Sequence, residues 1–500
     1  MPTDSPHDRA LLAAVHPGDW RNPAPADRYN LVVLGGGTGG LVSAAVAAGL
    51  GAKVALVERA WLGGDCLNTG CVPSKALIHA GRLATDAQRA AALARPEREA
   101  PRPDFGVAME RMRAIRARIA PNDSAARFRD LGVDVFLGEG RFVARDALEV
   151  GGARLRFARA VVATGGRAAA PPIPGLAEAG FLTNESVFDL TAPPARLAVI
   201  GGGPIGCELA QTFARLGVQV TVFEMGAHLL EREDADAAAI VQRALVRDGV
   251  RLVLGAKVLG VARDGDARAI RWADGGAGES VAHADAILVA AGRAPNVEGI
   301  GLERAGVAFE RSGIQVDDRL RTTNPNVYAV GDCCMAEKFT HAADAAAKIA
   351  VQNAFFFGRK KLSALVMPWC TYTDPELAHV GLSPRDAEAR GIALDTYTQS
   401  FEHVDRALTD GAEDGFVRVH VRRGTDRVVG ATVVAPHAGE MLSLLTAAIT
   451  NGVGLGKLAG TIFPYPTQSE AIKAVANQYM RTRLTPTVKR LFETWMRWRR

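Results

Sequence analysis

One pattern occurs twice in this 500-residue chain and narrows its folds more than any other feature. A buried-strand run, Leu31-Val32-Val33-Leu34, enters Gly35-Gly36-Gly37-Thr38-Gly39-Gly40 and an alanine-rich helix. The next strand, Val54 to Val57, then ends at Glu58. From Leu197 the order repeats: strand Leu197 to Ile200, Gly201-Gly202-Gly203-Pro204-Ile205-Gly206, a helix through Leu216, strand Val218 to Phe223, and Glu224. In both copies the acid lies 23 positions after the first glycine. One GxGxxG is weak evidence, but two in the same strand–turn–helix–strand context with the same acid spacing are strong. Glycines permit the tight turn and let a pyrophosphate approach a helix N-terminus, while the acid hydrogen-bonds a ribose hydroxyl. The chain is therefore expected to bind two dinucleotides.

After the first repeat comes Gly63-Gly64-Asp65-Cys66-Leu67-Asn68-Thr69-Gly70-Cys71-Val72-Pro73-Ser74-Lys75. Two thiols beside a dinucleotide loop point to a redox pair. Five residues of regular helix rise about 7.5 Å, beyond the roughly 7 Å Cα separation that a disulfide tolerates. At least one cysteine is thus expected on non-helical backbone, with Asn68-Thr69-Gly70 as the break. Pro73 suits the first turn of a helix from Ser74 to about Ala84, whose N-terminus would favour a thiolate.

Composition bounds the rest. A chain with 48% hydrophobic residues and 53 glycines reads as α/β with two to four domains. Six cysteines are too few for a secreted disulfide framework. Neither a signal-peptide run nor an 18-residue uncharged apolar segment is found, so a cytoplasmic location is expected. The net charge of +5 is local: residues 481–500 hold seven basic residues and Glu493, leaving the other 480 at −1. That distribution argues against a nucleic-acid-binding body. In the tail, Val488, Leu491, Phe492, Trp495 and Trp498 recur at helical spacing among arginines. Such a helix suits peripheral contact with the inner face of an anionic membrane; packing on the dimer is the alternative.

Residues 1–28 read as an irregular arm, and Thr85–Arg129 as largely helical. Val161-Val162-Ala163-Thr164-Gly165-Gly166, Ile287 to Arg293, and Val327 to Asp332 are strands running into turns at domain crossovers. From Pro368 alternating strands and helices suggest a separate α+β domain.

On these motifs, over roughly residues 29–480, the chain resembles the FAD-dependent pyridine nucleotide–disulfide oxidoreductases, most closely the catalytic core of mercuric reductase. It is also similar to dihydrolipoyl dehydrogenase and glutathione reductase. The resemblance implies two Rossmann-like domains, for FAD (29–166 and 293–365) and NAD(P) (167–292), plus a dimerisation domain (366–480) of a homodimer. Gly35, Gly37, Gly40, Glu58, Gly64, the Ala163-Thr164-Gly165 turn and Asp332 would hold FAD. Gly201, Gly203, Gly206 and Glu224 would hold the nicotinamide nucleotide, with Gly292 and Arg293 at the crossover. Cys71 would be the flavin-proximal thiol and Cys66 the interchange thiol. Lys75 and Glu208 would pair beside the flavin, and Thr340 and His341 would start a helix aimed at it. Glu224, with no arginine in Met225 to His228, favours NADH over NADPH, although Arg232 lies eight positions on.

The resemblance also places a catalytic pair near the C-terminus, where disulfide reductases carry histidine and glutamate. Here the residues are Tyr465 and Glu470, and mercuric reductases are similar in having tyrosine. A phenol with a reference pKa of about 10 cannot shuttle protons near neutrality as imidazole does. A metal ion or small oxidant is therefore expected as acceptor, with disulfide reduction or a membrane-surface redox partner as alternatives. Unlike mercuric reductases, the chain has no cysteine after Cys370. Cys207, Cys333, Cys334 and Cys370 read as structural, with Cys333-Cys334 alternatively a vicinal metal pair.

Overall fold

A computed structural model describes residues 5–94, 103–274 and 278–500. These form two compact units, Met1–Met225 with Gly249–Ala364, and Gly226–Asp248 with Leu365–Arg500.

The first unit contains both repeats. Helix α1 (Pro6–Val15) precedes strand β1 (Tyr29–Leu34), helix α2 (Thr38–Gly49) and strand β2 (Val54–Glu58). Helices α3 (Gly64–Asn68), α4 (Cys71–Ala94) and α5 (Phe105–Ile119) lead to strands β3 (Val133–Leu137) and β4 (Ala153–Val162). The second repeat supplies strand β5 (Arg196–Ile200), helix α6 (Pro204–Arg215), and strands β6 (Gln219–Phe223), β7 (Arg251–Val253) and β8 (Ala286–Val289). Strand β9 (Val327–Ala329) and helix α7 (Thr340–Phe355) complete the unit's main elements.

The parallel strands are ordered β3-β2-β1-β4-β9 and β7-β6-β5-β8, the first set continuing from β4 into two antiparallel strands, Ala147–Val150 and Gly140–Ala144. Val32 registers with Ala55, Val33 with Val161, and Val199 with Val222. Helices pack on one face and antiparallel strands on the other, with Phe142 and Leu148 over the first sheet and Ile270 and Trp272 over the second, so both faces are covered and the runs are apolar throughout instead of alternating. Val32, Val57, Phe136, Phe157 and Val162 are buried in the first core. At the strand ends, Gly35 and Gly201 have φ +107° and +110°, where a side chain is strained. A Cβ at Gly35 would also collide with the Ala163 carbonyl oxygen. Both loops thus reach their helices by a turn that only glycine makes cheaply.

In the second unit, strands β10 (Pro368–Thr371), β11 (Glu376–Gly381), β12 (Leu394–Ser400), β13 (Phe416–Arg422) and β14 (Val428–Ala435) form an antiparallel sheet ordered β10-β11-β14-β13-β12. Helices α8 (Ala438–Thr450) and α9 (Glu470–Arg483) bury Leu442, Leu445, Ile472 and Val475 with its Val417, Val419 and Val433. The chain ends in helix α10 (Pro486–Trp498). Helix Ala235–Arg247 groups here too, and its preceding Asp234 pairs with Arg418 at 2.9 Å.

The α/β class with a C-terminal α+β domain stands. Three local expectations are corrected. The N-terminal arm is irregular only in part: over Pro6–Val15 it is helix α1, which Ser5 caps through His7 N and whose Leu11 and Val15 are fully buried, while residues 16–28 hold no helix or strand. Helix α4 extends to Ala94, well past Ala84, because no helix breaker interrupts the sequence there. Cys66 and Cys71 both lie in helical turns, but in two helices broken at Thr69-Gly70. Residues 1–4 of the arm and 95–102 of the expected helical stretch lie outside the described residues.

Candidate active site

The thiol loop is pinned from below by buried polar groups. Asn68 donates from Nδ2 to the carbonyls of Leu62 (3.0 Å) and Gly64 (2.8 Å). Arg116, on α5, donates to the Asn68 carbonyl at 2.8 Å and to Asp8 of α1 at 2.9 Å. Asp8 also pairs with Arg113 at 3.4 Å, and all three side chains are almost fully buried. Buried charges of this kind hold only when paired, so α1 and α5 together fix where the loop stands. The Asn184 amide donates to the Thr69 carbonyl at 3.2 Å, closing the break between α3 and α4.

On that support, Cys66 is half-buried and Cys71, the first residue of α4, is exposed. Cys71 Sγ lies 3.3 Å from the Thr340 hydroxyl, which opens α7. The Cys71 thiol is pulled down to about 6, chiefly because the Cys66 thiol hydrogen-bonds to its thiolate. Although the residue is exposed, partial desolvation of its sulfur opposes this; the Thr340 hydroxyl and the Lys75 charge assist. Cys66 moves the other way: donating to Cys71 and being buried push its thiol far up. The two sulfurs are therefore unequal, one a thiolate near neutrality and the other a thiol that keeps its proton.

Lys75 is one turn beyond Cys71 on α4, and its Nζ meets Glu208 of α6 at 2.8 Å, with Glu208 buried. The pair links the first repeat to the second. His341 stacks on Phe339 with ring centres 5.3 Å apart. Arg293 reaches Asp332 at 2.9 Å, the Gly166 carbonyl at 3.1 Å, and Asp65. Asn296 and Thr164 exchange hydrogen bonds at 2.7 and 3.0 Å, holding the Ala163-Thr164-Gly165 turn.

The two glycine loops are built alike. Glu58 accepts from Gly36 N at 2.6 Å, and Glu224 accepts from Gly202 N at 2.6 Å. Burial raises the Glu58 carboxyl above its ordinary range. Gly37 and Gly203 stand at the N-caps of α2 and α6 with no side-chain cap, so the free first-turn N–H groups are presented to an incoming phosphate. Both loops fit a dinucleotide. Arg232 lies in the second unit, its guanidinium 5.6 Å from the centre of the Trp369 ring.

Tyr465 and Glu470 also belong to the second unit. The exposed Tyr465 hydroxyl donates to Asp405 at 3.0 Å, and that hydrogen bond raises the phenol's pKa. Glu470 accepts from Thr467 N at 3.4 Å. Cys207 and Cys333 are buried and donate to backbone carbonyls, as does half-buried Cys334. Among the described residues no group of three or more His, Cys, Asp or Glu is arranged to hold a metal ion.

Sequence reasoning missed Asp65, Asp123, Asp8 and Arg116. Asp65 lies next to Cys66 and its pairing with Arg293 could have been sought. Asp123 is half-buried close to Gly63; burial raises its carboxyl, and its charge helps push Cys66 up. Nothing local in the sequence marks it.

The family model for pyridine nucleotide-disulphide oxidoreductases matches residues 29–348, and that family's dimerisation domain matches residues 367–476. The chain belongs to this oxidoreductase family. A mercuric reductase of Streptomyces lividans is 33% identical over 90% of this chain and 96% of its own length. A dihydrolipoyl dehydrogenase of Thermus scotoductus is 35% identical over 90% of this chain and 96% of its own length. The Cu(II) complex of the HOCl-induced flavoprotein disulfide reductase RclA from Escherichia coli superposes with TM-score 0.81 at 26% identity, covering 91% of this chain and all of that one. Oxidoreductase activity with FAD and NAD(P) follows from membership.

Proposed function

We propose that this oxidoreductase uses Cys66 and Cys71 as a redox-active pair that passes electrons from NADH to a metal ion or small oxidant. The observation that carries this reading is the placement of the two thiols on either side of the Thr69-Gly70 break, with Cys71 at the head of α4, 3.3 Å from the Thr340 hydroxyl and one turn before Lys75, a setting that favours Cys71 as the thiolate. Bound FAD, held by the first glycine loop, Glu58, the Ala163-Thr164-Gly165 turn and Asp332, supplies two-electron transfer between nicotinamide and thiols. Reduction of the Cys66–Cys71 disulfide takes up two electrons and breaks the S–S bond. The proton taken up goes to Cys66, while Cys71 remains a thiolate stabilised by Thr340, Lys75 and the start of α4. Delivery of the electron pair to the acceptor re-forms the S–S bond and releases the Cys66 proton. Asp123, with its raised carboxyl close by, favours retention of that proton before delivery.

Glu224 selects NADH because a 2′-phosphate would meet its carboxylate, and Arg232 is occupied by Trp369. Tyr465, donating to Asp405, directs the acceptor choice away from disulfides, whose cleavage needs a proton donor to the leaving thiolate. The dimerisation domain supports a homodimer, and no described helix is long and apolar enough to cross a membrane. A cytoplasmic location completes the reading. A second reading, a dihydrolipoyl dehydrogenase or other disulfide reductase, draws on the 35% identity to the Thermus scotoductus enzyme.

Anaerobic reduction with NADH followed by rapid mixing with Hg(II), Cu(II), lipoamide or glutathione disulfide separates the two. Reoxidation by a metal ion with slow disulfide turnover is expected. Unchanged turnover of the best acceptor in both Cys66→Ser and Cys71→Ser would remove the dithiol from the mechanism.

A further inference from the structure

Helix α10 buries none of its residues. Thr485 caps it by accepting from Val488 N at 3.3 Å, and Pro486 stands at its first turn. At 100° per residue, Val488, Leu491, Phe492, Trp495, Met496 and Trp498 fall within an arc about 160° wide. Leu491 is 67% exposed, Phe492 52%, Trp495 49%, Met496 60% and Trp498 76%. Lys489, Arg490, Glu493 and Arg497 take the remaining face, and Arg499 and Arg500 follow the helix end. Arg499 lies with its guanidinium 5.8 Å from the centre of the Trp495 ring. A helix of 13 residues is marginal in water by itself, and a stripe this wide needs a cover.

Charge identifies the cover. Residues 481–500 carry seven of the chain's basic residues and a single acid, while the remaining 480 sum to −1. A second copy of α10 would bring an equally cationic segment against the first. An anionic bilayer instead meets the arginines with headgroups and the apolar stripe with acyl chain, and tryptophan prefers that boundary. The length is decisive for orientation. Thirteen residues span about 20 Å, short of the roughly 30 Å hydrocarbon core, so the helix lies in the surface plane.

We propose that α10 is an in-plane anchor that docks the enzyme on an anionic lipid bilayer, with Leu491, Phe492, Trp495 and Trp498 inserted and the arginines at the headgroups. The docking does not depend on which acceptor the thiols serve. It brings an oxidoreductase to a lipid surface.

The test uses the full-length holoenzyme with sedimented vesicles of phosphatidylglycerol or phosphatidylcholine. The wild type is expected to sediment with phosphatidylglycerol, to do so far less with phosphatidylcholine, and to lose binding between about 0.05 and 0.5 M salt. The variant L491E/W495E is expected to lose roughly tenfold or more in partitioning, as is K489E/R490E. Both should keep wild-type flavin content and NADH-dependent flavin reduction, which shows that they fold. Vesicle binding unchanged in L491E/W495E overturns the proposal. So does unchanged vesicle binding with a drop in oligomer mass by light scattering, which would make α10 a contact between copies. Equal, salt-independent binding to both lipids removes the electrostatic argument and overturns it too.

Discussion

Replacing Cys66 by alanine tests the inequality of the sulfurs directly. The largest cause of the lowered Cys71 pKa is the hydrogen bond from Cys66; Thr340 and Lys75 make smaller contributions, and burial opposes them. In the intact pair the Cys71 midpoint is about 6, against 9.0 for an ordinary cysteine. At pH 7 that is roughly 90% thiolate instead of about 1%. Cys66→Ala removes the main donor and leaves burial in place, so the midpoint should rise by about one pH unit or more. Cys66→Ser keeps a donor and should rise less. A reaction rate at one pH is a poor readout. With a Brønsted slope of about 0.4–0.5, a rise from about 6 to 8 cuts thiolate at pH 7 roughly tenfold but raises its reactivity roughly eightfold. The informative assay is a titration of thiolate absorbance in the reduced holoenzyme, taken as the difference from Cys71→Ser. The sign is fixed: Cys71 is ionised above its midpoint and loses charge as pH falls through about 6. A wild-type midpoint near 9, or a Cys66→Ala midpoint within about 0.3 of the wild type, would refute the reasoning.

Lys75→Met deprives buried Glu208 of its 2.8 Å ion pair and Cys71 of a nearby positive charge. It should cost about 1–3 kcal/mol in urea denaturation, the lysine being partly exposed, and raise the Cys71 midpoint; Lys75→Arg should recover part of both. Arg293→Met leaves the carboxylates of Asp65 and Asp332 without their shared guanidinium. A loss of about 2–4 kcal/mol and weaker flavin retention on gel filtration are expected, with Asp65→Asn milder. For nucleotide choice, kcat/KM should favour NADH over NADPH by roughly tenfold or more, and Glu224→Ser should shrink that ratio. Tyr465→His should raise turnover of glutathione disulfide or lipoamide, measured as NADH oxidation at saturating disulfide, because imidazole titrates near neutrality.

The parts of this site that were legible in the sequence are those whose chemistry is local. Gly35 and Gly201 are required by a backbone angle, and Cys66, Cys71 and Lys75 lie within ten residues of one another. The supports were not legible. Asp8 and Arg116 meet across 108 residues and Arg293 and Asp65 across 228, distances over which spacing carries no signal. Helix α1 was obscured by its prolines, although Ser5 before Pro6 and apolar Leu11 and Val15 at i,i+4 are a helix start in retrospect. Asp123 closes a short 3-10 turn, and its proximity to the thiol loop depends on how α5 packs.

These unseen supports explain how the visible motif works. A disulfide pair needs two sulfurs close enough to bond and different enough that one leaves as thiolate while the other holds the proton. Closeness comes from the Thr69-Gly70 break, which lets α4 restart at Cys71. Difference comes first from the hydrogen bond between the two sulfurs, and surroundings set which one keeps the proton: Thr340 from α7 and the Lys75 charge lower Cys71, while burial and Asp123 raise Cys66. The loop that carries both sulfurs is held by Arg116, whose own charge is buried and balanced by Asp8. Cutting that chain of support at its far end is therefore predicted to reach the thiols. Asp8→Asn, more than 50 residues from either cysteine, should loosen the loop and narrow the gap between the two thiol midpoints in the same absorbance titration. A stability loss with the Cys71 midpoint unmoved would show that α1 holds the fold but not the loop.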